Sequence, residues 1–338
     1  MIAITGGGTG GHLSIARTFK TELNKKGIEP IFIGSSNGQD KAWFENEKGF
    51  KEKYFFNTKG VVNQSKTGKI LSLSNILLHS LKCYDIFKKH GIKKVISVGG
   101  YSAAAASFGA VIFKKKLYIH EQNAKIGTLN KKLIPYAELF FSSYDERSPI
   151  KDYPVRKDFF KTKRIRSKLE YIIFLGGSQG AHFINELARK LSKPLIKNKI
   201  KIIHQCGKKE YKELKEFYKK EGLKVELYDF IKDMPAILAK ADLAISRSGA
   251  STLWELCANT LPTVFIPFPY AAADHQYYNA KFLKDKKLGY LFRENEIKAN
   301  ELLTLIYQIN LRSISTNLSS IIHENAAEKI VEYILKHK

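Results

Sequence analysis

The 338-residue sequence predicts an α/β protein made of two doubly wound parallel-sheet domains in tandem. Short apolar runs of strand length alternate with helical segments, which implies parallel sheets. A strand–glycine loop–helix opening also occurs twice, about half a chain apart. The length agrees, at roughly 100–200 residues per domain.

The first opening is Ile2-Ala3-Ile4-Thr5, then GGGTGGH at 6–12, then a helix expected over residues 14–25 and ended by Gly27. Residues 30–34 read as the second strand. Val95 to Val98 is a further short strand, followed by Gly99-Gly100 and a short Ala-rich helix over 103–113. That uncharged stretch approaches membrane-spanning length, but its glycines make it a buried strand–turn–helix. The second opening is Tyr171-Ile172-Ile173-Phe174-Leu175, then GGSQG at 176–180, then a helix over 181–191. Apolar runs at 201–204, 225–227, 243–246 and 263–267 continue the pattern. The polar stretch 148–170, with Pro149, Pro154 and many Lys and Arg, reads as the domain boundary.

Composition bounds the function classes. Fifty-seven Lys and Arg face thirty-two Asp and Glu, a net charge of +25. Nucleic acid, an anionic membrane surface and phosphate-bearing substrates all fit this charge, and a lysine-rich proteome would also produce it. Cys83, Cys206 and Cys257 lie far apart, without zinc-ligand spacing, and read as reduced thiols. Met1 is followed by apolar residues and glycines rather than a basic segment, so no signal peptide is expected.

The three glycine turns share one physics. Glycine lets the backbone turn tightly and lets a ligand approach, and the following helix directs free N–H groups and its positive dipole end at that ligand. Phosphate suits such a place. No GxxxxGK[ST] occurs, which disfavours an ATPase. A Rossmann dehydrogenase is a rival, but its acidic residue after the second strand is missing from Ile33-Gly34-Ser35-Ser36. A nucleic-acid-binding protein has only the charge in its favour, with no RNP-type motif or zinc finger. There is no DxD sequence, so a metal-binding carboxylate pair is not indicated.

GGGTGGH at 6–12, GGY at 99–101, HEQN at 120–123, GGSQGA at 176–181, SRSGASTLWE at 246–255 and DHQYYNA at 274–280 resemble, in order and over nearly the whole chain, the MurG family of N-acetylglucosaminyltransferases of peptidoglycan synthesis. Two departures touch the acceptor side. Ser97 stands where the family usually has glycine, and Leu13-Ser14-Ile15-Ala16 lacks the expected proline after His12. The resemblance implies a GT-B fold, two Rossmann-like domains facing across a cleft. Residues 1–156 would form the acceptor domain, joined by a final helix at 325–338, and residues 157–324 the UDP-sugar domain. It implies inverting, metal-independent transfer of N-acetylglucosamine from UDP-N-acetylglucosamine to the C4 hydroxyl of an undecaprenyl-pyrophosphoryl muramyl-pentapeptide, with no cofactor. The enzyme is then expected at the cytoplasmic face of the plasma membrane, bound peripherally, with room for other cell-wall synthesis proteins as partners and no nucleic acid. Related GT-B enzymes, a UDP-N-acetylglucosamine epimerase or a diacylglycerol glycosyltransferase, are the neighbouring alternatives.

Carried over residue by residue, the resemblance places Ser178, Gln179 and Gly180 at the donor diphosphate with Arg156 beside them. The backbone at Ile231 would read uracil, and Glu255 would accept both ribose hydroxyls. Ala250, Ser251, Thr252, Leu253 and Trp254 complete the donor segment. His275, Gln276 and Asn123 would contact the sugar, with Thr9, Gly10 and Gly11 nearby. Gly99, Gly100 and Tyr101 would take the acceptor diphosphate. His12 is the first candidate base, kept neutral by its helix N-terminus, and Glu121 is the alternative. Residues 66–89, apolar positions flanked by Lys66, Lys69, Lys82, Lys88 and Lys89, suit either shallow insertion into an anionic leaflet or an ordinary amphipathic helix packed on the core.

Overall fold

The computed structural model describes residues 1–61, 64–177 and 180–337, which form two compact units: Met1–Pro154 with Asn325–Lys338, and Val155–Glu324.

In the first unit, strands β1 (Ile2–Thr5), β2 (Ile31–Ser35), β3 (Glu52–Phe56), β4 (Lys94–Ser97), β5 (Lys116–Glu121) and β6 (Leu139–Ser142) make one parallel sheet in the order β3-β2-β1-β4-β5-β6. β1 and β2 are buried along their whole lengths, as expected for strands covered on both faces. Ala3, Ile31, Ile33, Val95, Leu117 and Ile119 form the sheet's share of one core, closed by Cys83, Ile86 and Phe87. The second unit repeats the plan. Strands β7 (Tyr171–Leu175), β8 (Lys201–Gln205), β9 (Val225–Tyr228), β10 (Leu243–Ser246), β11 (Thr263–Phe265) and β12 (Tyr290–Leu291) pair in the order β12-β11-β10-β7-β8-β9, again all parallel. In each sheet the winding reverses once, between β1 and β4 and between β7 and β10. These switch points, at the carboxyl ends of the strands, are where doubly wound folds bind ligands.

Some element ends differ from the sequence expectation. The first helix begins at Gly10 rather than near residue 14, because Gly6, Gly7 and Gly8 absorb the turn and Thr9 takes an extended N-cap conformation. Gly10, Gly11 and His12 therefore belong to its first turn. The helix after the third glycine turn runs His182–Lys197, past residue 191 and through Pro194. Pro194 lies in the last turn, where the missing N–H removes one bond of a ladder already ending. The final helix, Ala326–Lys336, buries Ile330, Val331 and Ile334 in the first unit. Its carbonyl end is capped by the Lys94 ammonium, 2.7 Å from the oxygen of Ile334 and 2.9 Å from that of His337.

Helix Lys66–His90 is apolar on two sides. Ser65 caps its start by accepting from the Gly68 N–H, and Gly91, at φ 59°, ends it. Ile76, Cys83 and Phe87 face the core. Ile70, Leu71, Leu73, Leu77, Leu78, Leu81 and Tyr84 face outward, each about half to seven-tenths exposed.

The stretch 148–170 is not a loose linker. Arg166 is fully buried, and its guanidinium donates to the carbonyls of Arg164, Leu238, Ala241 and Asn259 and to the side chains of Asn259 and Thr260. Arg164 donates to the carbonyls of Ala239 and Lys240 and pairs with Asp242 at 2.6 Å. The two arginines thus cap the carbonyl ends of helices Met234–Lys240 and Ala250–Ala258. Burial lowers the Arg166 pKa to about 9. Replacing Arg166 by Met should leave several buried carbonyls unpaired and cost about 3 kcal/mol or more of stability. Urea denaturation of the Arg166→Met variant checks this, and a midpoint equal to wild type would contradict it.

Candidate functional site

At the switch point of the first sheet, two glycine turns touch backbone to backbone. The Gly7 N–H donates to the Gly99 carbonyl at 3.1 Å. A methyl group on Gly100 would lie 2.2 Å from the Gly7 oxygen, and one on Gly6 would lie 2.6 Å from the Gly99 oxygen, so both positions exclude side chains. Beneath the first turn sits Asp40, fully buried. Its carboxylate accepts from the Gly8 N–H at 2.5 Å and the Ser35 N–H at 2.9 Å. Burial raises its pKa while these two amides hold it down. No sequence signal singles out Asp40, since a lone acid between polar residues reads as surface charge. Tyr101 starts a short 3₁₀ turn and donates its hydroxyl to the Asn37 carbonyl at 2.5 Å.

His12 stands over this junction. Its Nδ1 lies 2.8 Å from Thr9 Oγ1, and a methyl on Gly99 would sit 3.5 Å from its Nε2. Thr9, Gly10, Gly11, His12, Gly99, Gly100 and Tyr101 are therefore gathered at one place. Glu121, at the end of β5, is buried, and its two oxygens accept from the N–H groups of Asn123 and Gly127 and from the Asn130 amide, each at 2.9 Å. Asn123 is half-buried beside it. His120 is buried between the rings of Phe19 and Tyr153, and burial drives its pKa to about 3.

At the switch point of the second sheet, β7 runs into Gly176 and Gly177, and β10 runs into Arg247-Ser248-Gly249. Ser178 and Gln179 lie outside the described residues. Gly180, at φ 79°, rests against the Cys206 carbonyl, where a methyl would come within 2.1 Å. Methyls at Gly177 and Gly249 would meet nothing within 4 Å, so both turns border open space. Helix Ala250–Ala258 starts directly at Gly249. Ser251, Thr252 and Glu255 are partly exposed, whereas Ala250, Leu253 and Trp254 are buried, so their side chains face the core of the unit.

Glu255 is half-buried. Burial pushes its pKa up to about 7, and the Arg156 guanidinium opposes that rise. Arg156 is exposed, stands directly before the short helix Lys157–Lys161, and lies 5.3 Å from the Phe159 ring centre. Gln276 accepts through its side-chain oxygen from the N–H groups of Ser248 at 3.3 Å and Phe268 at 3.0 Å. This fixes the amide with its NH₂ as the end left for further donation. His275 donates from Nδ1 to the Ala272 carbonyl at 2.8 Å. Just before it, Ala273 and Asp274 adopt φ 51° and 55°, a strained pair for non-glycine residues, held by the Asp274–Arg293 ion pair. Arg293 stacks 4.0 Å over Tyr277. Ile231 is buried next to the half-exposed Phe230, and Asp233 caps helix Met234–Lys240 by accepting from the Ala236 N–H. Among the described residues no cluster of three or more His, Cys, Asp or Glu could hold a metal ion.

Residues 2–142 match the glycosyltransferase family 28 N-terminal domain, and residues 171–334 match the glycosyltransferase family 28 C-terminal domain. The chain is 54% identical, over 99% of its length and 97% of the relative's, to the UDP-N-acetylglucosamine–N-acetylmuramyl-(pentapeptide) pyrophosphoryl-undecaprenol N-acetylglucosamine transferase of Campylobacter jejuni subsp. jejuni serotype O:6. It is 48% identical to the protein of the same name from Wolinella succinogenes, over 99% of each chain. The crystal structure of Acinetobacter baumannii MurG superposes with a TM-score of 0.80 over 99% of both chains at 24% identity, which establishes the GT-B fold. The dehydrogenase and nucleic-acid readings fall away. The chain belongs to glycosyltransferase family 28 and, within it, to the UDP-N-acetylglucosamine–N-acetylmuramyl-(pentapeptide) pyrophosphoryl-undecaprenol N-acetylglucosamine transferases.

Proposed function

We propose that this protein transfers N-acetylglucosamine from UDP-N-acetylglucosamine to the C4 hydroxyl of undecaprenyl-pyrophosphoryl-N-acetylmuramyl-pentapeptide, with inversion at the anomeric carbon and without a metal. The 54% identity to a transferase of that name carries the reading. The second unit takes the donor. Helix starts at Gly180–His182 and Gly249–Ala250 offer N–H groups and positive dipole ends to the leaving diphosphate, and Arg156 adds charge. Ser178 and Gln179 are assigned to the diphosphate by their place in the GGSQGA motif. Glu255 accepts from the ribose hydroxyls, the backbone at Ile231 meets the uracil edge, and the free NH₂ of Gln276, with His275 and Asn123, contacts the sugar. The first unit takes the acceptor, its diphosphate against Gly99, Gly100 and Tyr101.

His12 is the base we favour. In the tautomer whose Nδ1–H donates to Thr9 Oγ1, Nε2 carries the lone pair that removes the acceptor's hydroxyl proton. Glu121 already accepts from Asn123, Gly127 and Asn130, and this supports a role in holding the 121–130 loop rather than in proton transfer. Among the described residues no helix is long and apolar enough to cross a membrane. The outward leucines of helix Lys66–His90, set among lysines, support peripheral attachment to the anionic leaflet that presents the lipid acceptor, at the cytoplasmic face. Other cell-wall synthesis proteins are further candidate partners at that surface.

Four outcomes test this reading. His12→Ala should lower kcat by about 100-fold or more with little change in the donor KM, and Thr9→Val by roughly tenfold, through loss of the tautomer; steady-state kinetics with donor and a short-chain acceptor analogue check both, and a wild-type kcat in His12→Ala would remove it as base. UDP should bind more weakly as the pH falls below about 7, because protonated Glu255 no longer accepts from both hydroxyls. Glu255→Gln should lose that pH dependence and weaken UDP binding at pH 8 by about 2 kcal/mol. The raised pKa has a second consequence. Ionising Glu255 costs the folded, ligand-free protein stability above pH 7 and nothing below the ordinary carboxyl range, so Glu255→Gln should raise Tm at pH 8 and leave it unchanged at pH 4. Calorimetry and melting curves across this range decide. The triple variant Leu71→Ser, Leu77→Ser, Leu78→Ser should keep the wild-type Tm, since these side chains are already in water, yet lose co-sedimentation with anionic vesicles; unchanged sedimentation would assign the face another role.

A further inference from the structure

The third glycine turn rests on a carbonyl that is itself held by a buried hydrogen-bond chain. Gly180 packs on the Cys206 oxygen so closely that no side chain fits between them. That oxygen accepts from Asn185 Nδ2 at 3.1 Å. Asn185 lies in the first turn of helix His182–Lys197 and is fully buried, and its Oδ1 is 3.0 Å from His204 Nε2. His204, on β8 and also fully buried, has its Nδ1 3.0 Å from the hydroxyl of Tyr218 on helix Tyr211–Lys220.

The donors and acceptors admit one arrangement. A carbonyl only accepts, so Asn185 must present its NH₂ to Cys206 and its oxygen to His204. That oxygen only accepts, so His204 must carry its proton on Nε2. The bare Nδ1 must then accept from the Tyr218 hydroxyl. Burial holds the imidazole neutral, with a pKa of about 3, so this tautomer persists through the physiological range. Tyr218 O–H to His204, His204 N–H to Asn185 and Asn185 N–H to Cys206 thus run in one direction, each interior polar group satisfied. The chain joins helix Tyr211–Lys220, β8, the start of helix His182–Lys197 and the seat of the glycine turn.

We infer that Tyr218, His204 and Asn185 are positioning residues for the donor diphosphate: by fixing the Cys206 carbonyl and the first turn of helix His182–Lys197, they set where the N–H groups following Gly180 point. The inference rests on the reading that this turn holds the diphosphate. None of the three is proposed to touch substrate.

The phosphates provide the test. Binding of UDP and of uridine is measured by calorimetry on the full-length protein, wild type and variants. Wild type should bind UDP more tightly than uridine. Asn185→Ala should weaken UDP roughly tenfold, and Tyr218→Phe, which removes one hydroxyl and keeps the ring, roughly threefold, as expected for loss of one buried hydrogen bond. Uridine affinity should stay within about twofold in both. His204→Gln, which can donate to Asn185 and accept from Tyr218, should bind UDP more tightly than His204→Ala. Parallel weakening of UDP and uridine, or a lowered Tm with unchanged UDP affinity, would reduce the chain to general packing and overturn the inference. Should Asn185→Ala not fold, Tyr218→Phe alone decides between these outcomes. Wild type that binds uridine as tightly as UDP would instead remove the diphosphate from this turn, and the inference with it.

Discussion

Contact between bare backbones is the constraint on which the site depends. Gly7 meets Gly99 and Gly100, and Gly180 meets Cys206, at separations that leave no room for a single methyl. The closeness lets the strand ends at each switch point converge, so that helix starts, and not side chains, border the open space beyond. Hydrogen bonding within the protein limits which amides are available. The Gly8 N–H is already taken by Asp40, so the first glycine turn does not offer that amide to a ligand.

The densest buried hydrogen bonding and the candidate site lie at opposite ends of the second sheet. The buried Arg166 guanidinium is hydrogen-bonded through all three of its nitrogens, and two helix ends are capped. At the strands' carboxyl ends the structure tolerates unfavourable features: a carboxyl whose pKa is raised to about 7 by burial, and consecutive left-handed residues at Ala273 and Asp274. Features of this kind persist where surrounding structure over-determines them and where a ligand relieves them. A ribose donating two hydroxyls to Glu255 would supply the solvation that burial removes.

The fold was legible where one signal dominated. Ile2–Thr5 and Tyr171–Leu175 are unbroken apolar runs before glycines, and both are fully or nearly fully buried strands. Glu52–Phe56 and Tyr290–Leu291 are sheet-edge strands, partly exposed and without such a run, and the pattern passes over them. Gly10 and Gly11 look like loop because glycine is a poor helix former, yet a first turn makes few intrahelical bonds and tolerates them. Arg166 in a Lys- and Arg-rich stretch resembles a solvated linker charge, since its acceptors are main-chain carbonyls up to 93 residues away, invisible to local pattern. At the candidate site, the motifs single out the glycine turns, His12, Glu255 and Gln276, and the structure brings His12 to the first two turns and Gln276 to Ser248. That Leu253 and Trp254 face the core, and that Glu121 is surrounded by donors, follows only from the packing.

The excess positive charge has no single explanation in the fold. Lysines such as Lys208, Lys209, Lys219 and Lys220 decorate the second unit far along the chain from any apolar patch, and general lysine enrichment accounts for them as well as any partner does. Helix Lys66–His90 differs in having seven large exposed apolar side chains among its lysines, on a helix whose other face is already packed. Exposed apolar area of this kind costs solubility and adds nothing to the core, so it persists only where something covers it. A fluid anionic surface fits better than a rigid protein partner. The apolar side chains spread over about four helical turns without a central aromatic anchor, and the flanking ammonium groups suit headgroup phosphates, whose positions adjust to theirs.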